Sequence, residues 1–339
     1  MGQRKTYISV LNVIACLAVV MLHANGVFWE FSYDRYWISA NVIESLFYFA
    51  VPVFFMISGV TLLDYRQRYG TEVYVKKRIQ KALIPFLFWN CVAVVYLLVT
   101  DKLQLQELSF ISFINAVINS EYVSVYWFFI ALFTVYLSIP FFGLIPEKKR
   151  KKIYMYIIVL TFVLNSLLPF LCAFVNINYN YDLVMPLGSN YLIYVLLGYC
   201  IDQYEIKRKC RILIYILGFA GLIMQCLGTW YLSYEAGQII QTFKGYINVP
   251  CILYSVAVFI LFRYQDYADS SIRILDKISG DTFGIYLIHW FILDYIVSFS
   301  EISRYSIWYR VGGGILVLVV SGLLVKILRH IPQLRKVLP

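Results

Sequence analysis

The chain has 339 residues, of which 61% are hydrophobic, 18% aromatic and only 14% charged. A soluble domain needs more charge to cover its surface, and apolar runs of about 18 or more residues, the length that crosses a hydrocarbon core, recur along the chain. The composition excludes a soluble globular protein and predicts an all-α fold, a polytopic membrane bundle of about ten transmembrane helices in one domain covering residues 1–339.

Ten membrane-spanning segments are predicted. In chain order they cover residues 7–29, 37–63, 79–100, 125–146, 153–175, 186–203, 211–234, 247–262, 283–300 and 306–328. The connections between them are short. The outer connection over residues 101–124 and the inner connection over residues 263–282 are each predicted to contain a short amphipathic helix at the membrane interface.

The net charge of +10 is explained by the positions of the basic residues. With the N-terminus in the cytoplasm, 24 of the 29 Lys and Arg fall in inner segments; the outer segments hold Arg35, Lys102, Lys244, Arg304 and Arg310. Basic residues concentrate on the cytoplasmic side of membrane proteins. The charge therefore predicts cytoplasmic termini and a lipid bilayer as partner, and it argues against a nucleic-acid partner.

The seven cysteines are scattered mainly through apolar runs, without a CxxC pair or a His/Cys cluster. Such cysteines are typical of buried, inert thiols. The sequence predicts no metal site and no bound cofactor.

Four titratable side chains lie well inside the predicted spans: His23, Glu44, His289 and Asp294. Ionisable residues are costly in a membrane and mark candidate functional sites. His289 and Asp294 are five residues apart on span nine, so they do not share one helix face closely. From the predicted start of that span, His289 is placed in the inner half of the membrane.

His23 and Glu44 are predicted to lie at similar depth in the outer half. His23 precedes the interfacial Trp29 by six residues, or about 9 Å of helix, and Glu44 follows Trp37 by seven residues, or about 10 Å. A histidine with a depth-matched carboxylate, and Asn25 nearby, is typical of a general base with its orienting group. The alternative is that these side chains only hydrogen-bond neighbouring helices. For His289 two interpretations also remain open, a structural hydrogen-bonding residue or a participant in substrate passage.

The inner segment YVKKRIQKALIPF places Lys77, Arg78 and Lys81 within about one helical turn at the cytoplasmic face. Two interpretations remain open here. The residues are either a topology anchor for lipid headgroups or a clamp for a phosphorylated cytosolic ligand.

Several segments together resemble the membrane acyltransferase-3 family, which includes bacterial O-acetyltransferases of surface glycans. The resemblance covers almost the whole chain, and the order and spacing of the segments carry it. They are ISVLNVIACLAVVMLH, VPVFFMISGV, KKRIQKALIPFLFW, VYWFFIALFTVYLSIPFF, YLIYVLLGYCI and FGIYLIHWFI.

The resemblance implies a multi-pass protein of the bacterial cytoplasmic membrane. It implies acetyl-CoA or another acyl-CoA as cytoplasmic co-substrate and a glycan or lipid-linked sugar as acceptor. Lys77, Arg78 and Lys81 would bind the CoA phosphates, and His23, oriented by Glu44, would act as general base. Asn25, as an oxyanion donor, Trp127 and His289 are further candidates for the substrate cavity.

Two positions depart from the pattern of many family members. Asn12 stands where they have an arginine, eleven residues before the histidine, and Lys81 replaces the second arginine of an Arg-x-x-Arg pair. The change at position 81 keeps the charge but weakens bidentate phosphate binding. We expect no extracytoplasmic hydrolase-like domain of the kind fused to some members, and therefore either direct acylation of the acceptor or a separate extracytoplasmic partner.

Two other classes of function remain open. Ten spans with a few buried polar residues also suit a transporter or exporter of a small molecule or glycan intermediate without covalent chemistry. The protein could also be a structural partner in glycan assembly, in which case His23 could be replaced without loss of function.

Overall fold

The structure, a computed structural model, describes residues 5–175, 177–267 and 269–339, without the side chains of residues 269–274. Within these ranges the regular structure is helical throughout. We number the helices α1 (Thr6–Ala24), α2 (Arg35–Phe47), α3 (Ala50–Leu62), α4 (Thr71–Val99), α5 (Phe110–Asn119), α6 (Trp127–Gly143), α7 (Glu147–Phe174), α8 (Leu192–Gln203), α9 (Arg208–Ala236), α10 (Val249–Arg263), α11 (Asp269–Phe299) and α12 (Trp308–Leu328).

The helices confirm a polytopic membrane protein. Among the described residues, eight helical segments are long and apolar enough to cross a membrane. The predicted spans at 186–203 and 247–262 correspond to the shorter apolar helices α8 and α10. The number of crossings and the cytoplasmic termini stay predictions.

Of the two short helices predicted in the connections, the structure contains the outer one as a separate helix but not the inner one. The outer connection contains α5, whose Phe110, Ile111 and Ile114 are exposed. Among the described residues of the inner connection there is no separate helix, because the residues from Asp269 onward continue without a break into α11. Part of this segment, the side chains of residues 269–274, lies outside the described residues.

Helix α1 lies at the centre of the bundle and packs against α2, α3, α10, α11 and α12. Its register with α11 is fixed by two polar contacts. Asn12 Nδ2 donates to Ser279 Oγ at 3.2 Å, and Cys16 Sγ donates to the Thr282 carbonyl at 3.7 Å. The partners are 267 and 266 residues apart, so α1 and α11 run parallel with a nearly constant offset. The two helices therefore place side chains at matched depths.

The predicted second span is broken at Tyr48 and Phe49, between α2 and α3. Pro52 lacks a backbone N–H and cannot bond to the carbonyl four residues before it, which is that of Tyr48. Proline is a common cause of helix kinks for this reason. The break places Tyr48 at the wall of the central cavity described below.

Helices α3 and α8 cross with their backbones in contact. A Cβ added at Gly59 would lie 1.9 Å from the Val195 carbonyl oxygen, and one at Gly198 would lie 2.1 Å from the Met56 carbonyl oxygen. Small residues at helix crossings permit this approach in membranes. Only glycine fits at either position without moving a helix.

We expect Gly59→Ala and Gly198→Ala to destabilise the bundle by about 1–3 kcal/mol or more, as overpacking does. The midpoint of thermal unfolding in detergent measures the effect. Gly312→Ala is the matched control, because nothing lies within 4 Å of its added Cβ. A wild-type midpoint for both α3–α8 variants would contradict the close crossing.

Candidate active site

A cavity of about 690 Å³ opens at the predicted outer end of the bundle, where α1 ends. His23, Glu44 and Asp294 line it, and much of the remaining wall is aromatic. The aromatic lining residues are Trp29, Tyr48, Phe54, Trp127, Phe128, Tyr191, Tyr246, Tyr286, Trp290 and Tyr309. Such a wall offers flat apolar faces together with polar hydroxyl and indole groups, so it can hold an amphipathic ligand.

His23 is hydrogen-bonded to His289. Its Nδ1 lies 2.6 Å from His289 Nε2, the ring planes differ by 16° and the ring centroids are 4.9 Å apart. The distance between the ring centroids exceeds the distance between His23 Nδ1 and His289 Nε2 by about the sum of the two ring radii. Both nitrogens therefore lie close to the line between the ring centres, which is the geometry of an in-plane hydrogen bond rather than of stacked faces.

The hydrogen-bond network assigns the tautomer of each neutral ring. His289 Nδ1 lies 2.8 Å from the Tyr286 carbonyl oxygen, which can only accept, so Nδ1 carries the proton. His289 Nε2 is then an acceptor, and His23 Nδ1 must donate to it. The remaining nitrogen, His23 Nε2, keeps its lone pair. It makes no hydrogen bond to another described residue, and His23 lines the cavity.

The prediction that His289 lies deeper than His23 was wrong. The two residues are 266 apart, which matches the offsets of 267 and 266 at the other two α1–α11 contacts. The apolar run that defines the predicted span starts at residue 283, whereas α11 itself begins at Asp269, so the start of the apolar run does not give the depth of His289. His289 is fully buried behind His23 and does not border the cavity.

Glu44 lines the same cavity as His23, but no hydrogen bond joins the two side chains in the described structure. The Glu44 carboxylate, 2% exposed, instead accepts from Asn25 Nδ2 at 3.3 Å. Glu44 therefore does not orient His23 directly. The hydrogen-bond partner of His23 Nδ1 is His289 instead. A catalytic role for Glu44 stays a prediction.

Asn25 does not suit the predicted role of oxyanion donor. Its amide also donates to the Ala40 carbonyl at 2.9 Å, so both amide hydrogens are used, and its oxygen accepts from Arg310 at 3.4 Å. Asn25 is fully buried and lies behind the cavity wall. It joins the end of α1 to α2 and α12.

Arg310 is a buried charge that the sequence reasoning missed. It is 1% exposed and donates to Ser39 Oγ at 2.8 Å and to the Tyr36 carbonyl at 3.2 Å, besides Asn25. The sequence contains a signal for this burial, because Arg310 lies inside the predicted span 306–328. The charge analysis instead assigns Arg310 to the outer segments.

The connection between α9 and α10 enters the bundle and forms one wall of the cavity. Lys244 is fully buried there and donates to Asn41 Oδ1 and Ser45 Oγ, each at 2.9 Å. Burial lowers the pKa of the Lys244 amine to about 8, and the neighbouring Glu44 carboxylate partly opposes the shift. Lys244 thus fixes this connection to α2.

Trp127 lines the cavity, and its role in substrate binding stays a prediction. Its ring stacks on Tyr246 of the α9–α10 connection, with centroids 5.5 Å apart, and Tyr246 stacks in turn on Tyr48 at 4.4 Å. Trp127, Tyr246 and Tyr48 therefore form a continuous aromatic side of the cavity.

Asp294 also lines the cavity and is paired with Lys102, whose Nζ lies 2.6 Å from the carboxylate.

Comparison with known protein families identifies the family of this chain. The profile of the acyltransferase-3 family, described as an acyltransferase domain, matches residues 5–326 of the 339. The chain belongs to this family. No match was found among curated proteins or among solved structures. The protein is a multi-pass membrane acyltransferase.

The basic residues of this acyltransferase's α4 lie apart from the cavity. Lys77 Nζ lies 3.8 Å from the centre of the Tyr69 ring, and the Arg78 guanidinium lies between Tyr74 and Tyr136. Lys81 is exposed and falls in a short π-helical segment of α4. None of the three lysine and arginine side chains borders the cavity. Phosphate binding by these residues stays a prediction.

Proposed function

We propose that this acyltransferase moves an acyl group, in the first instance acetyl, from cytoplasmic acyl-CoA to a hydroxyl of a cell-surface or lipid-linked glycan. The observation that carries the proposal is the free Nε2 of His23 on the wall of an aromatic cavity. A buried imidazole with one nitrogen fixed by a hydrogen bond and the other free is suited to general-base catalysis.

In the proposed reaction the acceptor hydroxyl attacks the thioester carbonyl of acyl-CoA. The C–O bond forms and the C–S bond breaks, while the hydroxyl proton passes to His23 Nε2 and then to the departing CoA thiolate. The products are the acyl ester of the acceptor and free CoA. His289 keeps its proton on Nδ1 throughout, so it acts as a positioning residue for His23.

The other predicted residues have proposed roles in binding. Glu44 accepts hydrogen bonds from acceptor hydroxyls, and Trp127 supplies an apolar face for the sugar ring. On the donor side, Arg78 and its neighbours Lys77 and Lys81 bind the CoA phosphates, because guanidinium and ammonium groups form strong charge-assisted hydrogen bonds to phosphate. The bacterial cytoplasmic membrane is the proposed location.

The test is product analysis with the purified protein in lipid nanodiscs. Acetyl-CoA and a panel of glycans are supplied, CoA release is followed with a thiol reagent, and the glycans are examined for an acetyl ester by mass spectrometry. We expect acceptor-dependent CoA release with an equal amount of ester. Binding or passage of a glycan without ester formation with any acyl-CoA would contradict the proposal.

A transporter without covalent chemistry is the second candidate, and one observation favours it. The break between α2 and α3 at the cavity wall is a discontinuous helix, which transporters use at their substrate sites. Uptake of labelled sugar into sealed vesicles in the absence of acyl-CoA distinguishes this function from acyl transfer.

A further inference from the structure

The acyl transfer proposed above needs a hydrogen-bond donor for the carbonyl oxygen of the thioester. When a hydroxyl attacks that carbonyl, its oxygen becomes anionic, and enzymes stabilise the charge with a donor placed in advance where water is excluded. Asn25 cannot supply this hydrogen bond, because its amide hydrogens are used by Ala40 and Glu44. The donor must therefore be another side chain of the cavity wall with an unused hydrogen.

Three tyrosines of the cavity wall are more than nine-tenths buried. Tyr48, Tyr309 and Tyr286 are 3%, 5% and 8% exposed. The other aromatic donors of the wall are half-buried or exposed. A hydrogen-bond donor acts more strongly where the local dielectric constant is low, so the three buried tyrosines are best suited. The hydroxyl of Tyr286 is excluded among them, because it donates to the Val125 carbonyl.

Tyr309 lies towards the outer end of the cavity. It is in the first turn of α12, next to Arg310, which hydrogen-bonds to Asn25. Asn25 follows His23 at the outer end of α1, so Tyr309 lies on the outer side of His23. In the proposed function acyl-CoA comes from the cytoplasm, so its thioester reaches His23 from the opposite side.

The Tyr48 hydroxyl is free and open to the cavity. It makes no hydrogen bond to another described residue, and it is not enclosed by protein atoms. The ring is held in place, since it stacks on Tyr246 with centroids 4.4 Å apart and an angle of 7° between the planes. Tyr48 therefore offers a preorganised hydrogen-bond donor to a ligand in the cavity.

Tyr48 lies on the inward side of His23. Asn25, just outward of His23, contacts Glu44 of α2, and Tyr48 follows Glu44 by four residues, or about 6 Å of helix. The cavity continues to this level, where Val19, one turn inward of His23 on α1, also lines it. Tyr48 is thus on the side from which acyl-CoA comes in the proposed function.

We propose that Tyr48 is a catalytic residue, the oxyanion donor of the acyl transfer. As the acceptor oxygen bonds to the carbonyl carbon and its proton passes to His23 Nε2, the π electron pair of the C=O bond moves to the oxygen, which accepts a hydrogen bond from the Tyr48 hydroxyl. The C=O bond then re-forms, the C–S bond breaks and the CoA thiolate takes the proton from His23. Tyr48 keeps its own proton throughout. This inference rests on the proposed acyl transfer and adds one catalytic group to it.

The first experiment compares Tyr48→Phe with wild type in nanodiscs, with acetyl-CoA and an acceptor that the wild-type protein esterifies. Phenylalanine keeps the ring that stacks on Tyr246, so we expect an unchanged unfolding midpoint. We expect kcat to fall ~100-fold, because one oxyanion donor contributes about 10²–10³-fold. KM for both substrates is expected to stay within twofold of wild type, because the oxyanion is absent from the bound ground state.

Tyr231→Phe is the matched control, since this tyrosine is 59% exposed on α9, and its kcat is expected to equal that of wild type. A loss of less than tenfold in the kcat of Tyr48→Phe, or a loss that lies in KM alone, would overturn the assignment of Tyr48. Wild-type protein that forms no ester with any acceptor would instead overturn the underlying acyl transfer, so the two failures are distinguishable.

The second experiment needs no turnover. In trifluoroacetonyl-CoA a trifluoromethyl ketone replaces the thioester carbonyl, and this ketone adds water to form a stable mimic of the tetrahedral intermediate. Such mimics bind more tightly than substrates through the groups that stabilise the transition state. Calorimetry is expected to show that Tyr48→Phe binds the ketone at least tenfold more weakly than wild type and binds acetyl-CoA within twofold of wild type.

A residue that only shapes the cavity would change both affinities by the same factor. That result, or equal binding of the ketone by the two proteins, would overturn the proposal. Wild-type protein that binds neither compound would overturn acyl-CoA as the donor, and with it the acyl transfer on which the proposal rests.

Discussion

Replacing His23 by Asn is expected to lower kcat for acyl transfer by at least ~100-fold, because general-base catalysis contributes about 10²–10⁴-fold in enzymes. Asparagine is chosen because its amide nitrogen lies near the position of imidazole Nδ1. It can still donate to His289 Nε2, which preserves the contact between α1 and α11. What asparagine lacks is the free basic nitrogen. Initial rates of ester formation in nanodiscs measure the loss.

His330→Asn is the matched control for this substitution. His330 is exposed beyond α12, and its Nδ1 hydrogen-bonds to the Lys326 carbonyl one turn earlier. Its replacement is expected to leave the rate unchanged. If His23→Asn folds with a wild-type unfolding midpoint and retains more than a tenth of the wild-type rate, His23 is not the base.

Replacing His289 by Phe is expected to lower kcat by ~10–100-fold with little change in KM. Phenylalanine has a similar planar shape but offers no acceptor to His23 Nδ1–H. The His23 ring then loses the bond that fixes its orientation and its tautomer, and loss of a tautomer-fixing partner is costly in histidine-dependent acyl transfer. The effect falls on kcat because His289 lies behind His23 and does not line the cavity.

His289→Gln provides the rescue. The glutamine amide oxygen can accept from His23 Nδ1–H, so this variant is expected to retain most of the wild-type kcat. A residue that only fills space would give the opposite order, with Phe tolerated better than Gln. Separate values of kcat and KM for the two variants decide between positioning and packing.

Much of the fold follows from local features of the sequence. Apolar runs of sufficient length predict the membrane helices. Because successive spans cross in opposite directions, spans one and nine are predicted to run parallel. The structure has this relation in α1 and α11. Such features are predictable because each helix satisfies its own backbone hydrogen bonds in lipid. The short helices α8 and α10 were also found this way.

The partners of the site residues were harder to predict. His23 and Glu44 were predicted at similar depth and line the same cavity, but depth alone does not say which side chain of a neighbouring helix is in contact. The register of α11 depends on where that helix begins. Its first turns are polar, so the apolar pattern of the sequence does not show that they belong to the helix. His289 was therefore placed too deep, although it is the residue that contacts His23.

Two buried basic side chains were a second source of error. The charge distribution predicts Lys244 and Arg310 as outer topology charges, yet both are fully or almost fully buried and both hydrogen-bond to α2. The burial of Lys244 depends on how the α9–α10 connection folds back into the bundle, and that of Arg310 depends on which side chains of α12 meet α2. No periodic pattern in the sequence encodes either arrangement. Their partners on α2, namely Asn41, Ser45 and Ser39, are short polar side chains inside or near an apolar run.

The most direct test of the account is a double-mutant cycle on His23 and His289. Ester formation is measured for wild type, His23→Asn, His289→Phe and the double variant under identical conditions. Residues that act as one catalytic unit give strongly non-additive losses. The double variant is therefore predicted to retain the same residual rate as His23→Asn alone. Losses that multiply, with the double variant slower than His23→Asn by the full factor seen for His289→Phe, would show that the two histidines act independently and would contradict the account.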